Sequence, residues 1–448
     1  MPRWRCAALR CLLQQRSCSD FLHLMARLVY TFALWLALPL VLARLWMRAR
    51  RQPDYMQHRG ERFGRYASRP TRPVIWLHAV SVGETRAAQP LLAALAARYP
   101  GHQLLLTCMT PTGRASALAL HGTGAQVVYL PYDYPFAIRR FLAHFRPRLG
   151  LMLETEVWPN LLALCAAQRV PMALINARLS QRSYRRYLRF ASLARPAFGT
   201  FAQVGAQSTG DRQRIVALGA TAVGLTGNLK FDVTPDPHLL AQGAAWRSAL
   251  GARKVVLAAS TREGEEAQLM PLLKELAGLG HFVVVVPRHP QRFDEVAQLA
   301  AAAGLPLARR SAGAAPGPAL AGWLGDSMGE MPAYYALADC AYIGGSLMPL
   351  GGQNLIEAAA CGCPAVIGPH TWNFSEAADA AVAAGAALRV ADVAGLAGAL
   401  VSILADDALR SRMSGAAGDF AAAHRGATAR SMALIEPLLG PQQDRKAG

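Results

Sequence analysis

Lysine is nearly missing from this chain: of its 47 Lys and Arg residues only four are lysines, at 230, 254, 274 and 446. So one-sided a usage follows a compositional bias, and the high isoelectric point says little about partners. Three nucleotide and hydrolase signatures are also missing. No GxGxxG follows the opening strand, no GxxxxGK[ST] occurs, and no GxSxG elbow is found, so hydride transfer, P-loop hydrolysis and esterase chemistry lose their usual marks. The eight cysteines, at 6, 11, 18, 108, 165, 340, 361 and 363, show neither CxxC nor paired zinc spacing. They read as reduced thiols of a cytosolic domain. Acidic residues are scarce at the N-terminus, where the first 72 residues carry 14 Arg against Asp20, Asp54 and Glu61. The run Leu28 to Ala43 is free of formal charge but shorter than the ~20 residues that a spanning helix wants.

That asymmetry has a direction. Arginines bracket an apolar run instead of marking a reading face with interleaved aromatics, so a membrane surface fits better than nucleic acid. Residues 1–52 are expected to be a basic segment with a membrane anchor, either a span or a deep interfacial helix, with Arg27 and Arg44 snorkelling. Arg48, Arg50, Arg51, Arg59, Arg62 and Arg65 on the exit side favour a cytoplasmic globular part.

Beyond the anchor, strand and helix patterns alternate twice, which predicts an α/β chain with two largely parallel sheets. The first series opens at Val74–Ala79 and continues at Gln103–Thr107, Val127–Leu130, Leu149–Leu153 and Met172–Ile175. The second opens at Lys254–Ala259 and continues at His281–Val286, Cys340–Ile343 and Ala365–Ile367. Predicted boundaries are 53–234 for the first domain, 235–250 for a linker around Thr234-Pro235-Asp236-Pro237, 251–441 for the second domain and 442–448 for a solvated tail. Residues 309–322 read as a loose surface loop. Ligands of open α/β sheets bind outside the strand C-termini, so two such lobes are expected to face a cleft.

The segments after the strands carry the chemistry. Gly344-Gly345-Ser346-Leu347-Met348-Pro349-Leu350-Gly351-Gly352-Gln353-Asn354-Leu355-Ile356-Glu357 runs from a strand into a helix. Its glycines permit close backbone approach, the helix start suits an anionic phosphate, and Glu357 suits a ribose diol. A glycine-rich connection capped by Asn354 is the plainer alternative. Glu84, in His78-Ala-Val-Ser-Val-Gly-Glu84, is either a proton acceptor or a residue complementing the helix dipole. Glu154 and Glu156 reach the cleft or cap the next helix. Asn176-Ala-Arg178-Leu-Ser180 leads into Arg182, Arg185, Arg186 and Arg189, a basic face for an anionic acceptor or for solvent. Arg288 and His289, pinned between Pro287 and Pro290, suit a leaving phosphate. Met328-Gly329-Glu330 precedes a short helix, with Gly329 again allowing close approach.

Together with Gly227-Asn-Leu-Lys230-Phe-Asp232 and Ser260–Glu266, these motifs closely resemble, in order, those of the 3-deoxy-D-manno-octulosonic acid (Kdo) transferases of lipopolysaccharide assembly. The resemblance runs from about Asp54 to Leu439. It implies a GT-B fold of two Rossmann-like lobes, CMP-Kdo as donor and a lipid A precursor (lipid IVA) as acceptor at the cytoplasmic face of the inner membrane. It also implies inversion at the anomeric centre, with no cofactor and no bound metal. Glu84 falls on the family's general base, and the CMP contacts fall on Arg288, His289, Met328 to Glu330 and Asn354 to Glu357. Arg178 and Lys230 are candidates for the Kdo carboxylate or acceptor phosphates, and Glu154 and Glu156 for orienting the acceptor sugar. Two rivals share parts of this pattern: a membrane-associated GT-B enzyme using a UDP-sugar, and a non-catalytic, membrane-tethered nucleotide-binding module.

Overall fold

The computed structural model describes residues 3–440 except 314, 315 and 318; the tail expected at 442–448 lies outside the described residues. The chain divides into two compact units, residues 1–233 with 426–448, and residues 234–425.

The first unit is built on a seven-stranded parallel sheet. Its strands are Val74–His78 (β1), Gln103–Cys108 (β2), Ala125–Tyr129 (β3), Pro147–Leu153 (β4), Met172–Ala177 (β5), Gln203–Ala206 (β6) and Val223–Leu225 (β7). Their order is β3-β2-β1-β4-β5-β6-β7. Helices cover both faces, so the central strands are mostly apolar and almost wholly buried instead of alternating. Trp76, Phe141, Phe145, Leu161 and Phe198 pack on one face, and Ile75, Leu77, Leu91, Leu95 and Ile435 on the other. The order reverses between β1 and β4, which places the crevice of this sheet outside their C-terminal ends.

The second unit repeats the plan with Val255–Thr261 (β8), Phe282–Pro287 (β9), Ala308–Arg309 (β10), Gly322–Leu324 (β11), Cys340–Ile343 (β12), Ala365–Ile367 (β13) and Ala387–Arg389 (β14). The order is β10-β11-β9-β8-β12-β13-β14, so the switch point here lies between β8 and β12. Five strands, β6, β7, β10, β11 and β14, were not expected from the sequence. Each has two to four residues, too few for a periodic signal.

Three boundaries differ from expectation. Residues 235–250 are not a linker: Pro237–Ala249 is a helix of the second unit, capped by Asp236, whose Oδ1 accepts from the His238 N–H at 2.9 Å. Pro at a first helical position is as natural as Pro in a hinge. The second domain does not extend to 441, because helix Ala427–Leu439 returns to the first unit and buries Ala427 and Ile435 there. The Asp232 carboxylate ties this return, accepting from the Gly426 and Thr428 N–H groups at 2.7 and 2.5 Å. The presumed loop at 309–322 is ordered at its start, where Ala308–Arg309 pairs with Trp323–Leu324.

Ahead of β1, Arg3–Arg51 forms one helix. Its stretch Phe21–Arg50 is long and apolar enough, by length and composition, to cross a membrane.

Candidate active site

In the first unit the predicted residues converge on the β1/β4 switch point. After β1, Ser81 caps helix Val82–Ala87. Three residues on, Glu84 turns back in a capping-box arrangement: Oε2 accepts from the Val80 N–H at 2.7 Å and Oε1 from the Ser81 hydroxyl at 3.0 Å. Both carboxyl oxygens are therefore oriented. Burial, then the neighbouring charge of Glu154, pushes the Glu84 carboxyl up to about 7 against these two bonds, with Glu156 adding a little in the same sense. This is the range a base needs at neutral pH.

Glu154 and Glu156 follow β4. Glu154 has φ 58° and pairs with Lys230 Nζ at 3.1 Å, while Glu156 accepts from Trp158 Nε1 at 2.8 Å. Burial raises the Glu156 pKa, the Trp158 bond lowers it, and Glu154 raises it again. Lys230 is presented by the turn Leu229–Asp232, which Asn176 anchors by accepting from the Leu229 N–H at 3.0 Å. The Arg178 carbonyl accepts from Thr155 Oγ1 at 3.0 Å, which ties the β5 end to the β4 loop. Glu84, Glu154, Glu156 and Lys230 are thus one electrostatic cluster. The arginines at 182, 185, 186 and 189 lie on an exposed helix face.

This coupling makes a signed prediction. Replacing Glu154 with Gln removes the charge that opposes ionisation of Glu84, so the Glu84 carboxyl titrates at lower pH. Lys230→Met unmasks Glu154 and moves that titration to higher pH. Carboxyl titration followed by NMR from pH 5.5 to 8.5 checks both, and shifts of the same sign in the two variants contradict the cluster.

In the second unit, the β8 and β12 ends are joined by a residue that the sequence did not single out. Buried Glu265 accepts from the Tyr342 hydroxyl at 2.6 Å and from the N–H groups of Arg262 at 2.9 Å and Gly345 at 2.7 Å. In the sequence it is one of two glutamates in a first helical turn, and nothing local reveals a partner eighty positions on. Glycine is required at 344, where a Cβ would lie 2.4 Å from the Ser260 carbonyl oxygen, and at 345, where φ is +70°. A second missed element clasps the loop: the His370 N–H bonds the Ser346 carbonyl and the Asn373 N–H bonds the Gly351 carbonyl, each at 2.9 Å.

Arg288, just after β9, donates from Nε to Gln353 Oε1 at 3.2 Å, and so stands beside the glycine-rich loop. His289 is exposed; partial desolvation, then Arg262, Arg288 and Arg292, lowers its pKa. Asn354 caps helix Leu355–Ala360, accepting from the Ile356 N–H at 3.2 Å and donating to Glu357 Oε1 at 3.1 Å. That helix has only six residues, so local N–H groups matter more here than a macrodipole. Leu355 and Ile356 are buried in the core, which leaves only their backbone to meet a ligand. Glu357 lies beside buried Tyr335, whose phenol is raised far above its usual range by burial and then by this carboxylate. Met328 is exposed and Gly329 has φ 90°. Glu330 is held by Arg310 at 3.0 Å and by the Ser327 hydroxyl, so it shapes its loop more than it offers a free carboxylate.

Comparisons with known proteins bear on the family and the fold. The family model described as 3-deoxy-D-manno-octulosonic-acid transferase (kdotransferase) matches residues 57–233. The chain is 48% identical over 431 residues to the 3-deoxy-D-manno-octulosonic acid transferase of Bordetella pertussis, covering 93% of this chain and 100% of that one. It is 35% identical over 425 residues to the enzyme of the same name from Haemophilus influenzae, with 93% and 99% covered. In fold alone it is similar to a glycosyltransferase from Rickettsia africae, at TM-score 0.56 and 13% identity, covering 83% of this chain and 99% of that one. Two Rossmann-like units on parallel sheets make this a GT-B fold, and among the described residues one long apolar helix precedes them. With identity this high over the full length of a relative, the chain belongs to the 3-deoxy-D-manno-octulosonic acid transferase family of glycosyltransferases.

Proposed function

We propose that the chain transfers Kdo from CMP-Kdo to a lipid A precursor such as lipid IVA, at the cytoplasmic face of the inner membrane, with inversion and with Glu84 as general base. The observation that carries this is the Glu84 carboxyl, oriented by Val80 and Ser81 and poised near neutrality. An acceptor hydroxyl attacks the anomeric carbon as its proton passes to Glu84. The bond from that carbon to the phosphate oxygen breaks, and CMP departs with the electron pair. Arg288, His289 and the Leu355 N–H, at the helix start that Asn354 caps through Ile356, are assigned to the phosphate, which meets the growing charge with preorganised donors. Glu357 is assigned to the ribose, and the backbone at Met328 and Gly329 to the cytosine. The Kdo carboxylate and the acceptor phosphates are assigned to Arg178 and Lys230, and the acceptor sugar to Glu154 and Glu156.

Mass spectrometry of a lipid A precursor incubated with CMP-Kdo and the purified chain tests the whole reading. A product heavier by one or more Kdo residues is expected. No product, with CMP still bound, would leave a nucleotide-binding module instead.

A further inference from the structure

The N-terminal helix wears its apolar surface outward. Its buried or half-buried positions include Arg27, Thr31, Leu34, Leu38, Val41 and Leu45, at spacings of three and four, which is one stripe of an α-helix. That stripe is seated on the first unit by specific bonds. His23 Nδ1 meets the Ser192 carbonyl at 2.8 Å, the Tyr30 hydroxyl donates to Asp133 at 3.0 Å, the Thr31 hydroxyl donates to Asn160 Oδ1 at 3.0 Å, and the Tyr134 hydroxyl donates to the Leu34 carbonyl at 2.8 Å. The other side presents Phe21, Val29, Phe32, Leu36, Leu40 and Met47, each more than half exposed.

Attachments at the middle of this helix and just after its C-terminal end constrain how it can meet a bilayer. Leu34 is held by Tyr134, and after the helix ends at Arg51 the chain is back on the same segment: the Arg62 carbonyl accepts from the Tyr132 N–H at 3.0 Å and Glu61 from the Tyr129 N–H at 2.7 Å. Between Leu34 and Arg51 a helix rises only ~26 Å at 1.5 Å per residue. That is less than the ~30 Å hydrocarbon core. A crossing helix would put the attachments before and after it on opposite faces, yet both are made to one folded unit.

We propose that this helix lies in the plane of one leaflet, apolar side down, as an in-plane anchor that does not cross the bilayer. The occupant of its exposed face is a lipid surface and not a second copy of the chain, because the surroundings are basic and aromatic. Arg44, Arg48 and Arg50 are exposed along it, Trp35 and Trp46 are half-exposed, and the Arg50 guanidinium covers the Trp46 ring at 3.9 Å. The exposed arginines at 182, 185, 186 and 189 belong to the helix just before Ser192, the partner of His23. Like charges repel a second copy, whereas anionic headgroups draw them in. The seat also reaches the acceptor side: Asp133, bonded by Tyr30, accepts from the Asn160 and Leu161 N–H groups at 3.0 and 2.8 Å. These open the helix that follows Glu156, so the bilayer-bound helix and the acceptor loop are held as one piece.

The proposal rests on the assignment of a lipid acceptor, but its test reads sidedness and not transfer, so the two fail separately. The full chain carries one epitope at each end, and protease is added to inside-out vesicles and to spheroplasts. Both epitopes are expected to be digested in the first and both protected in the second; epitopes on opposite sides overturn the proposal. The double variant Leu36→Asp, Leu40→Asp is then compared with the parent on phosphatidylethanolamine–phosphatidylglycerol vesicles. Binding should weaken at least about tenfold with an unchanged melting temperature, since each leucine withdrawn from lipid is worth that much or more. Unchanged binding would show that another surface makes the contact.

Discussion

Glu84→Gln is expected to lower the transfer rate by roughly a hundredfold or more, the usual loss when a general base is removed, while CMP affinity stays within about a few-fold. The substitution keeps the shape, and its carbonyl oxygen still accepts from the Val80 N–H, so the turn after β1 should survive. Only proton acceptance is lost. A second signature separates this from a structural lesion. In the parent, burial and Glu154 hold the carboxyl at about 7. A raised carboxyl is neutral below that pH and ionised above it, so the rate should climb through pH 7 and level off near pH 8. The residual rate of the variant should lack that limb. A variant that retains full turnover, or keeps the limb, removes Glu84 from proton transfer.

Arg288→Ala is expected to weaken CMP by roughly ten- to a hundredfold while changing cytidine affinity by no more than about twofold, since a charge-assisted bond to phosphate contributes about 1.5–3 kcal/mol. The side chain stands beside the glycine-rich loop through Gln353, and its backbone N–H bonds the Thr261 carbonyl at 2.9 Å. The backbone bond survives in alanine, so the loss isolates the guanidinium. Titration calorimetry with both ligands decides the matter. Equal losses for CMP and cytidine would mean that the side chain supports the loop and does not touch the phosphate.

Much of this site was legible before any coordinates. Glu84, Glu154, Glu156 and Arg288 each follow closely on a strand end, and Glu357 lies in the first turn of the helix that the glycine-rich loop after Cys340–Ile343 leads into; in parallel sheets strand ends carry the chemistry. Apolar runs located nine of the strands, Cys340–Ile343 and Ala365–Ile367 among them although these have only four and three residues. The misses share one cause. Strands of two to four residues take their identity from neighbours in the sheet, as Ala308–Arg309 does from Gly322–Leu324. Helix Ala427–Leu439 looks like any amphipathic helix, and its membership of the first unit depends on Asp232, nearly two hundred residues earlier. Glu265 is as opaque, because its meaning lies in the Gly345 N–H and the Tyr342 hydroxyl.

By itself, then, the chain's order of residues determined two α/β series, an apolar N-terminal stretch with basic flanks and the identity of the groups at the strand ends, because local pattern and backbone preference are written in neighbouring residues. Tertiary structure alone decided which carboxyls share a field, which loop hangs on Glu265, and that the N-terminal helix is seated by Tyr30 and Thr31 with its apolar side outward. Those are contacts between residues far apart in sequence, and a long-range contact leaves no trace in the spacing of either partner.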